Sequence, residues 1–259
     1  MTLSPDALTK IDRVVEHLRE SRSILFITGA GLSADSNLPT YRGIGGLYND
    51  IETEDGILIE DVLSGSMIKR KPELTWKYMA QIEAACRGSG FNRGHEVIAL
   101  FEKRFERVWV LTQNVDGFHR RAGSKNVIDI HGDIHVLICK SCGYTKNLKN
   151  YEGLDIPPHC PDCGNVLRPD VVLFGEMLPE DKTSLLQRVL WEGFQIVFSV
   201  GTSSLFPYIV QPVTEAKMWG VPTVEINPGI TEISRMVDYK IAGRAAETLD
   251  AIWKRLLAD

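Results

Sequence analysis

A chain of 259 residues and 29.0 kDa can bury a full core and suits one large domain or a large plus a small one. Its 44% hydrophobic and 24% charged residues are those of an ordinary globular enzyme and exclude a disordered or fibrous chain. A net charge of -5 and a pI near 5.7 exclude a global electrostatic pull toward nucleic acid or anionic membrane, leaving only a local basic run at Lys69, Arg70 and Lys71.

The N-terminus lacks the basic-then-apolar pattern of a secretory signal, and no apolar stretch approaches the ~18 residues of a membrane span. A soluble, cytoplasmic protein is expected. Ser4-Pro5-Asp6 reads as a helix start, with an N-cap, a proline in the first turn and an early acid. Ile24–Thr28 then reads as a short buried strand closed by glycine, and 33–38 as the turn or helix after it. Residues 43–66 read as a long irregular excursion, of the kind that is usually functional. A helix restarts at Pro72, with Leu74, Tyr78, Met79, Ile82, Ala85 and Cys86 spaced to share a buried face. Another helix near His95–Glu106 precedes the strand Arg107–Thr112. Further strands are expected to end at His131, Gly201 and Asn227, and a last helix to cover Ala245–Leu257. Strands that alternate with helices and break into glycine or polar residues indicate an α/β fold: an open parallel sheet covered on both faces, with ligands at the strands' carboxyl ends.

Residues 136–168 interrupt this rhythm as an inserted small module. Cys139/Cys142 and Cys160/Cys163 form two C-x2-C pairs separated by 17 residues. Two such turns bring four thiolates to one point and suit a single tetrahedral Zn²⁺ with no open position, hence a structural metal. The alternatives are two disulfides, disfavoured in a cytoplasmic setting, or a redox pair, which needs only one motif.

Gly29-Ala30-Gly31-Leu32-Ser33-Ala34 fits the G-x-G-x-x-G/A turn that brings backbone N–H groups to a diphosphate. No acid follows a second strand to hold the ribose, which argues against an ordinary dehydrogenase. Ribose contacts are expected instead from Gly201, Thr202, Ser203 and Asn227. Gln113, Asn114 and Asp116 follow a strand directly and form a polar pocket at the sheet's ligand edge. His131, at another strand end, can act as a general base near neutral pH. The other five histidines fall in helices or beside the cysteine module and are expected to be structural.

In order along nearly the whole chain, GAGLSADSNLPTYRG, TQNVDGFHRRAG, the HG at His131, the paired C-x2-C, VVLFGE, GTSS and EINP resemble the sirtuin family of NAD-dependent protein deacylases, bacterial type. The resemblance implies a Rossmann-like domain, here residues 1–42, 88–135 and 169–259. It also implies a small zinc-bearing domain made of a helical and loop insertion, 43–87, and the zinc module, 136–168. NAD is then a co-substrate consumed in the cleft between them. Asn114 and Asp116 would hold the carboxamide, Leu38 and Tyr41 would wall the site, and Arg42 would reach the phosphate–ribose region, with Asp35 also in the cofactor loop. Nicotinamide leaves, the acyl-lysine carbonyl oxygen attacks C1′, and His131 activates the ribose hydroxyls so that the acyl group ends on ADP-ribose. Val171, Val172, Phe174 and Gly175 would take up the backbone of the acylated protein substrate.

Three departures stand out. Tyr41 replaces the family's usual Phe, and Asp35 its commoner Glu. Desuccinylating members carry a Tyr-x-x-Arg pair to clamp an acidic acyl chain, and an ungapped comparison from Trp76 puts Met79 and Ile82 there. Without a guanidinium no bidentate partner awaits a buried carboxylate, so an uncharged acyl group is expected unless Arg87 substitutes. The alternatives from other classes are a protein mono-ADP-ribosyltransferase using the same pocket and a non-catalytic NAD- and zinc-binding scaffold.

Overall fold

The structure is a computed structural model and describes residues 3–38 and 52–258. In chain order its elements are α1 (Pro5–Glu20), β1 (Ser23–Thr28), α2 (Ala30–Ser33), α3 (Ile59–Val62), α4 (Gly65–Arg70), α5 (Pro72–Cys86), α6 (Arg93–Arg104) and β2 (Arg107–Thr112). Then come α7 (Phe118–Arg121), β3 (Val127–Asp129), β4 (Gly132–Ile138), β5 (Thr145–Asn147), β6 (Arg168–Val171), α8 (Glu180–Trp191) and β7 (Ile196–Val200). The last are α9 (Pro207–Met218), β8 (Thr223–Ile226), β9 (Tyr239–Ile241) and α10 (Ala245–Leu257).

Six strands pair in the order β3-β2-β1-β7-β8-β9, all parallel. Side chains alternate along each strand, so Ile24 and Phe26 face one core and Leu25 and Ile27 the other. The first core is closed by α1, α6 and α10 through residues such as Ile11, Leu18, Ile98, Phe101, Leu249 and Trp253. The second is closed by α8 and α9 through Leu186, Val189, Ile209 and Val213. Burying both faces explains why these strands read as continuous apolar runs. The chain order reverses between β1 and β7, so a crevice opens at their carboxyl ends.

A second sheet, β5-β4-β6, is antiparallel. Its core joins Leu137, Cys139, Cys160 and Leu167 to Val62, Leu63, Trp76 and Met79 from α3–α5. Trp76 is fully buried and donates its indole N–H to the Leu167 carbonyl at 2.8 Å. The two segments that interrupt the α/β rhythm therefore share one hydrophobic core.

Most expected elements stand within two residues of their sequence positions, including the Ser4 cap, whose hydroxyl accepts from Ala7 N at 3.2 Å. Three readings change. Within the 43–66 excursion, α3 and the start of α4 are regular, the latter capped by Ser64 accepting from Met67 N. On α5 the buried stripe runs through Thr75, Trp76, Tyr78, Met79 and Glu83, while Ala85 is exposed. Glu83 can be buried because Arg87, one turn on, closes on it. Finally, β3 stops at Asp129, and His131 stands between two strands rather than at the end of one. Gly132, at φ +93°, turns the chain into the other sheet, where a Cβ would overlap the Asp170 carbonyl oxygen.

Candidate active site

The β1 and β7 loops meet backbone to backbone. Gly31 donates to the Gly201 carbonyl at 2.7 Å, and a Cβ on Gly31 would sit 2.7 Å from Gly201 Cα. Gly29 donates in turn to the Val200 carbonyl. The expected role of these amides as a phosphate cradle is thus altered. Gly29 and Gly31 spend theirs on the neighbouring strand end, and their lack of side chains lets two loops close into one rim. The helix they open, α2, is a single turn.

A cavity of about 1060 Å³ lies at this rim, at the upper end for ligand sites and large enough for a dinucleotide. Its walls include Gly29, Ala30, Gly31, Asp35, Gln113 and Asn114, then His131, Gly201, Thr202, Ser203 and Asn227. The substrate candidates Val171, Val172, Phe174, Gly175, Met79 and Ile82 line it as well. The cofactor, catalytic and substrate candidates are therefore gathered in one place, with four exceptions. Tyr41 and Arg42 lie outside the described residues. Leu38 borders that gap, and neither it nor Asp116 is among the wall residues.

The polar side chains are tied to one another. Gln113 Nε2 donates to Thr202 Oγ1 at 2.7 Å, and Asn227 Nδ2 to the Thr202 carbonyl at 3.1 Å. Asn114, buried, donates to the Gly29 carbonyl and to Ser33 Oγ, both at 3.0 Å. Ser33 Oγ donates to Asp116 at 2.6 Å, so Asp116 stands behind the wall as a support, and burial pushes its carboxyl up. Asp35 spends both oxygens on Arg244 and the Ala246 amide, each at 2.7 Å, which ties the glycine loop to the start of α10.

His131 Nδ1 lies 3.0 Å from the Gln113 carbonyl and Nε2 2.6 Å from the Tyr208 hydroxyl. Burial pushes its pKa down, against the Gln113 hydrogen bond and with the charge of Lys182, so the ring is neutral at neutral pH. His95 and His119 are buried below the floor with ring centroids 4.9 Å apart; burial lowers His95 to about 3 and His119 also well down, leaving both neutral and structural.

The segment after β6 is held from behind. Arg168 holds Glu176 through two bonds of 2.6 and 2.8 Å and also the Val171 carbonyl. Phe174 is not an open edge: its N–H donates to the Leu63 carbonyl and its carbonyl accepts from Gly65 N, both at 3.0 Å. The apolar end of the cavity is formed by Leu63, Met79, Ile82, Ile134 and Phe174. Arg87 is not in this wall; it pairs with Glu83 and Glu152. Among the described residues the only arginine or lysine in the wall is Arg244, already held by Asp35. Sequence reasoning missed Phe206, Tyr208 and Arg244. The visible signal for the first two was an aromatic-proline-aromatic run directly after the GTSS strand end.

Away from the cavity, the Sγ atoms of Cys139, Cys142, Cys160 and Cys163 all lie within 4.8 Å of one another. Two of the contacts, Cys139–Cys163 and Cys142–Cys160, are 3.5 Å, too long for disulfides, and all four thiols are free. A tetrahedral ion with Zn–S near 2.3 Å sets sulfurs ~3.8 Å apart, so the cluster fits Zn²⁺.

The parallel sheet's rim carries a ligand-sized cavity with a neutral imidazole in its wall, and a separate four-thiol centre is fit for zinc. The Sir2 family model matches residues 29–207, and the chain belongs to that family. It is 50% identical over 250 residues, 95% of this chain and 97% of the relative, to NAD-dependent protein deacylase 2 of Pseudomonas aeruginosa. The protein of the same name from Pseudomonas syringae pv. tomato is 49% identical over 90% of this chain and 94% of its own. Among solved structures, a Sir2 homologue–NAD complex superposes with a TM-score of 0.84 at 32% identity, covering 95% of this chain and 93% of that one. A Sir2–p53 peptide–NAD+ complex gives 0.78 at 25% identity, covering 95% and 98%.

Proposed function

We propose that the chain is an NAD-dependent protein-lysine deacylase for uncharged acyl groups. One observation carries this reading: a single cavity joins the Gly29–Gly31 and Gly201–Ser203 rim to an apolar end, with His131 in its wall. NAD supplies an electrophilic ribose carbon once nicotinamide departs, and the acyl-lysine carbonyl oxygen is the nucleophile that this carbon accepts. The residues do the rest. The two glycine loops bring Ala30, Thr202 and Ser203 to the dinucleotide; Asn114, held by Gly29 and Ser33, and Gln113, held by Thr202, read its polar edge. His131 takes a proton from a ribose hydroxyl at Nε2, and the segment 171–175 guides the peptide backbone. Leu63, Met79, Ile82 and Phe174 surround the acyl chain and keep water from the reacting carbon. Its partners are acylated lysines of proteins; no helix among the described residues is long and apolar enough to cross a membrane.

The acyl preference follows from charge. A succinyl carboxylate among Met79, Ile82 and Ile134 has no cation to meet among the described residues, and an unpaired buried charge costs ~3 kcal/mol or more, about 100-fold in rate. Acetyl and longer aliphatic lysine peptides are therefore expected to exceed a succinyl peptide about 100-fold in kcat/KM. Faster turnover of the succinyl peptide in the same assay overturns the proposed acyl class.

A further inference from the structure

His131 is held at both ring nitrogens, and the second holder has no part in the reaction so far. A carbonyl only accepts, so the contact with Gln113 O places the proton on Nδ1. In a neutral ring Nε2 is then bare, and the Tyr208 hydroxyl, 2.6 Å away, donates to it. Pro207 opens α9 and sets Tyr208 in its first turn. The Tyr208 ring stacks on Phe206 with centroids 5.5 Å apart and planes 13° apart, and both rings meet the imidazole edge-on at 5.9 and 6.0 Å. Tyr208 thus occupies the very lone pair that a general base must offer to a ribose hydroxyl.

We propose that Tyr208 is a positioning residue for the base: its hydroxyl locks His131 in the Nδ1-protonated tautomer while the NAD site is empty, and yields Nε2 to the ribose hydroxyl when NAD binds. This rests on the reading of His131 as the general base. No proton leaves the phenol. Burial pushes Tyr208 up to about 12, so it hydrogen-bonds without ionising, and the proton that reaches Nε2 comes from the ribose. The surrounding charges do not replace it. Lys182 of α8 acts on the ring from the side but is bound to Asp129 at 3.1 Å, and Glu176 in the cavity wall is closed on Arg168. Asp133, which begins the strand beyond Gly132, is bound to His135.

Donation to a bare Nε2 stabilises the neutral ring, so removing the donor raises the affinity of His131 for a proton. The acid limb of kcat/KM reports the free enzyme and that of kcat the bound complex. In Tyr208→Phe, which keeps the ring and its stack, the acid limb of kcat/KM for NAD is expected to move up by about half to one pH unit. The acid limb of kcat is expected to stay where the parent protein has it, because the phenol has already left. A ¹⁵N NMR titration of His131 without NAD is expected to show the same upward shift, independent of any catalytic role. An unmoved His131 titration in the variant overturns the proposal, and so does an equal shift of both limbs, which means that the phenol stays on Nε2 in the complex. Failure of the base assignment shows separately, as acyl transfer surviving in His131→Ala.

Discussion

Replacing His131 by alanine is expected to lower acyl transfer by about two to four orders of magnitude, the usual worth of a positioned general base. The ring has its proton on Nδ1, held by a main-chain carbonyl that does not move with side-chain rotamers. Its remaining nitrogen faces a cavity shared with the glycine rim. Because burial pushes the ring's pKa below the ordinary histidine value, the neutral, active form persists at neutral pH and is lost only as pH falls through that lowered value. Activity in the parent protein should therefore have its acid limb below pH ~6.5. The fold should survive the change. The His131 main chain still accepts from Val172 N, and no core cluster includes the imidazole. Rate and thermal midpoint measured together check this; a variant that transfers acyl groups at the parent rate removes His131 from the role of base.

Stripping the metal is expected to be the second large effect. The core of the small sheet includes Cys139 and Cys160, both buried, so the ion would sit against the apolar side chains it organises. Structural zinc contributes roughly 10–16 kcal/mol in zinc-finger peptides, more than a module of this size can replace from burial alone. The same strand carries the consequence to the reaction centre: β4 begins one residue after His131 and ends one residue before Cys139. Its partner β6 leads into the segment 171–175 in the cavity wall. Cys142 and Cys163 are exposed, so a strong chelator can reach the ion. Chelation should abolish deacylation and expose Trp76 and the small-sheet amides to hydrogen exchange, while the amides of β1, β7 and β8 stay protected. A chain that purifies without zinc, or whose small sheet keeps its protection after chelation, contradicts the structural role assigned to the four thiols.

The strands β1, β2 and β7 were legible because they are largely buried on both faces and so read as apolar runs ending in Gly29, Gln113 or Gly201, whereas β9, Tyr-Lys-Ile at the sheet's edge, gave no such signal. The four thiols were legible from spacing alone, since two C-x2-C turns have few other uses. What escaped was whatever depends on partners distant in the chain. His131 seemed to end a strand because nothing local reveals that Gly132 will pair with the chain near Val171. Asp35 was legible as part of the glycine loop, but its ties to Arg244 and Ala246 were not, because those partners lie more than 200 residues on. The buried face of α5 was misjudged at Glu83, a charged residue that is buried only because Arg87, itself also paired with Glu152, closes on it. Tyr208 was overlooked for the same reason: its importance lies entirely in the nitrogen that it meets.

The most direct measurement follows nicotinamide, deacylated peptide and ribose product together after mixing the zinc-loaded protein with NAD and an acetyl-lysine peptide. Equal amounts of nicotinamide, free-lysine peptide and acetylated ADP-ribose are predicted, with none formed when either NAD or the peptide is left out. Absence of nicotinamide, or its release beside an untouched peptide and an ADP-ribosylated protein, contradicts a lysine deacylase that spends NAD.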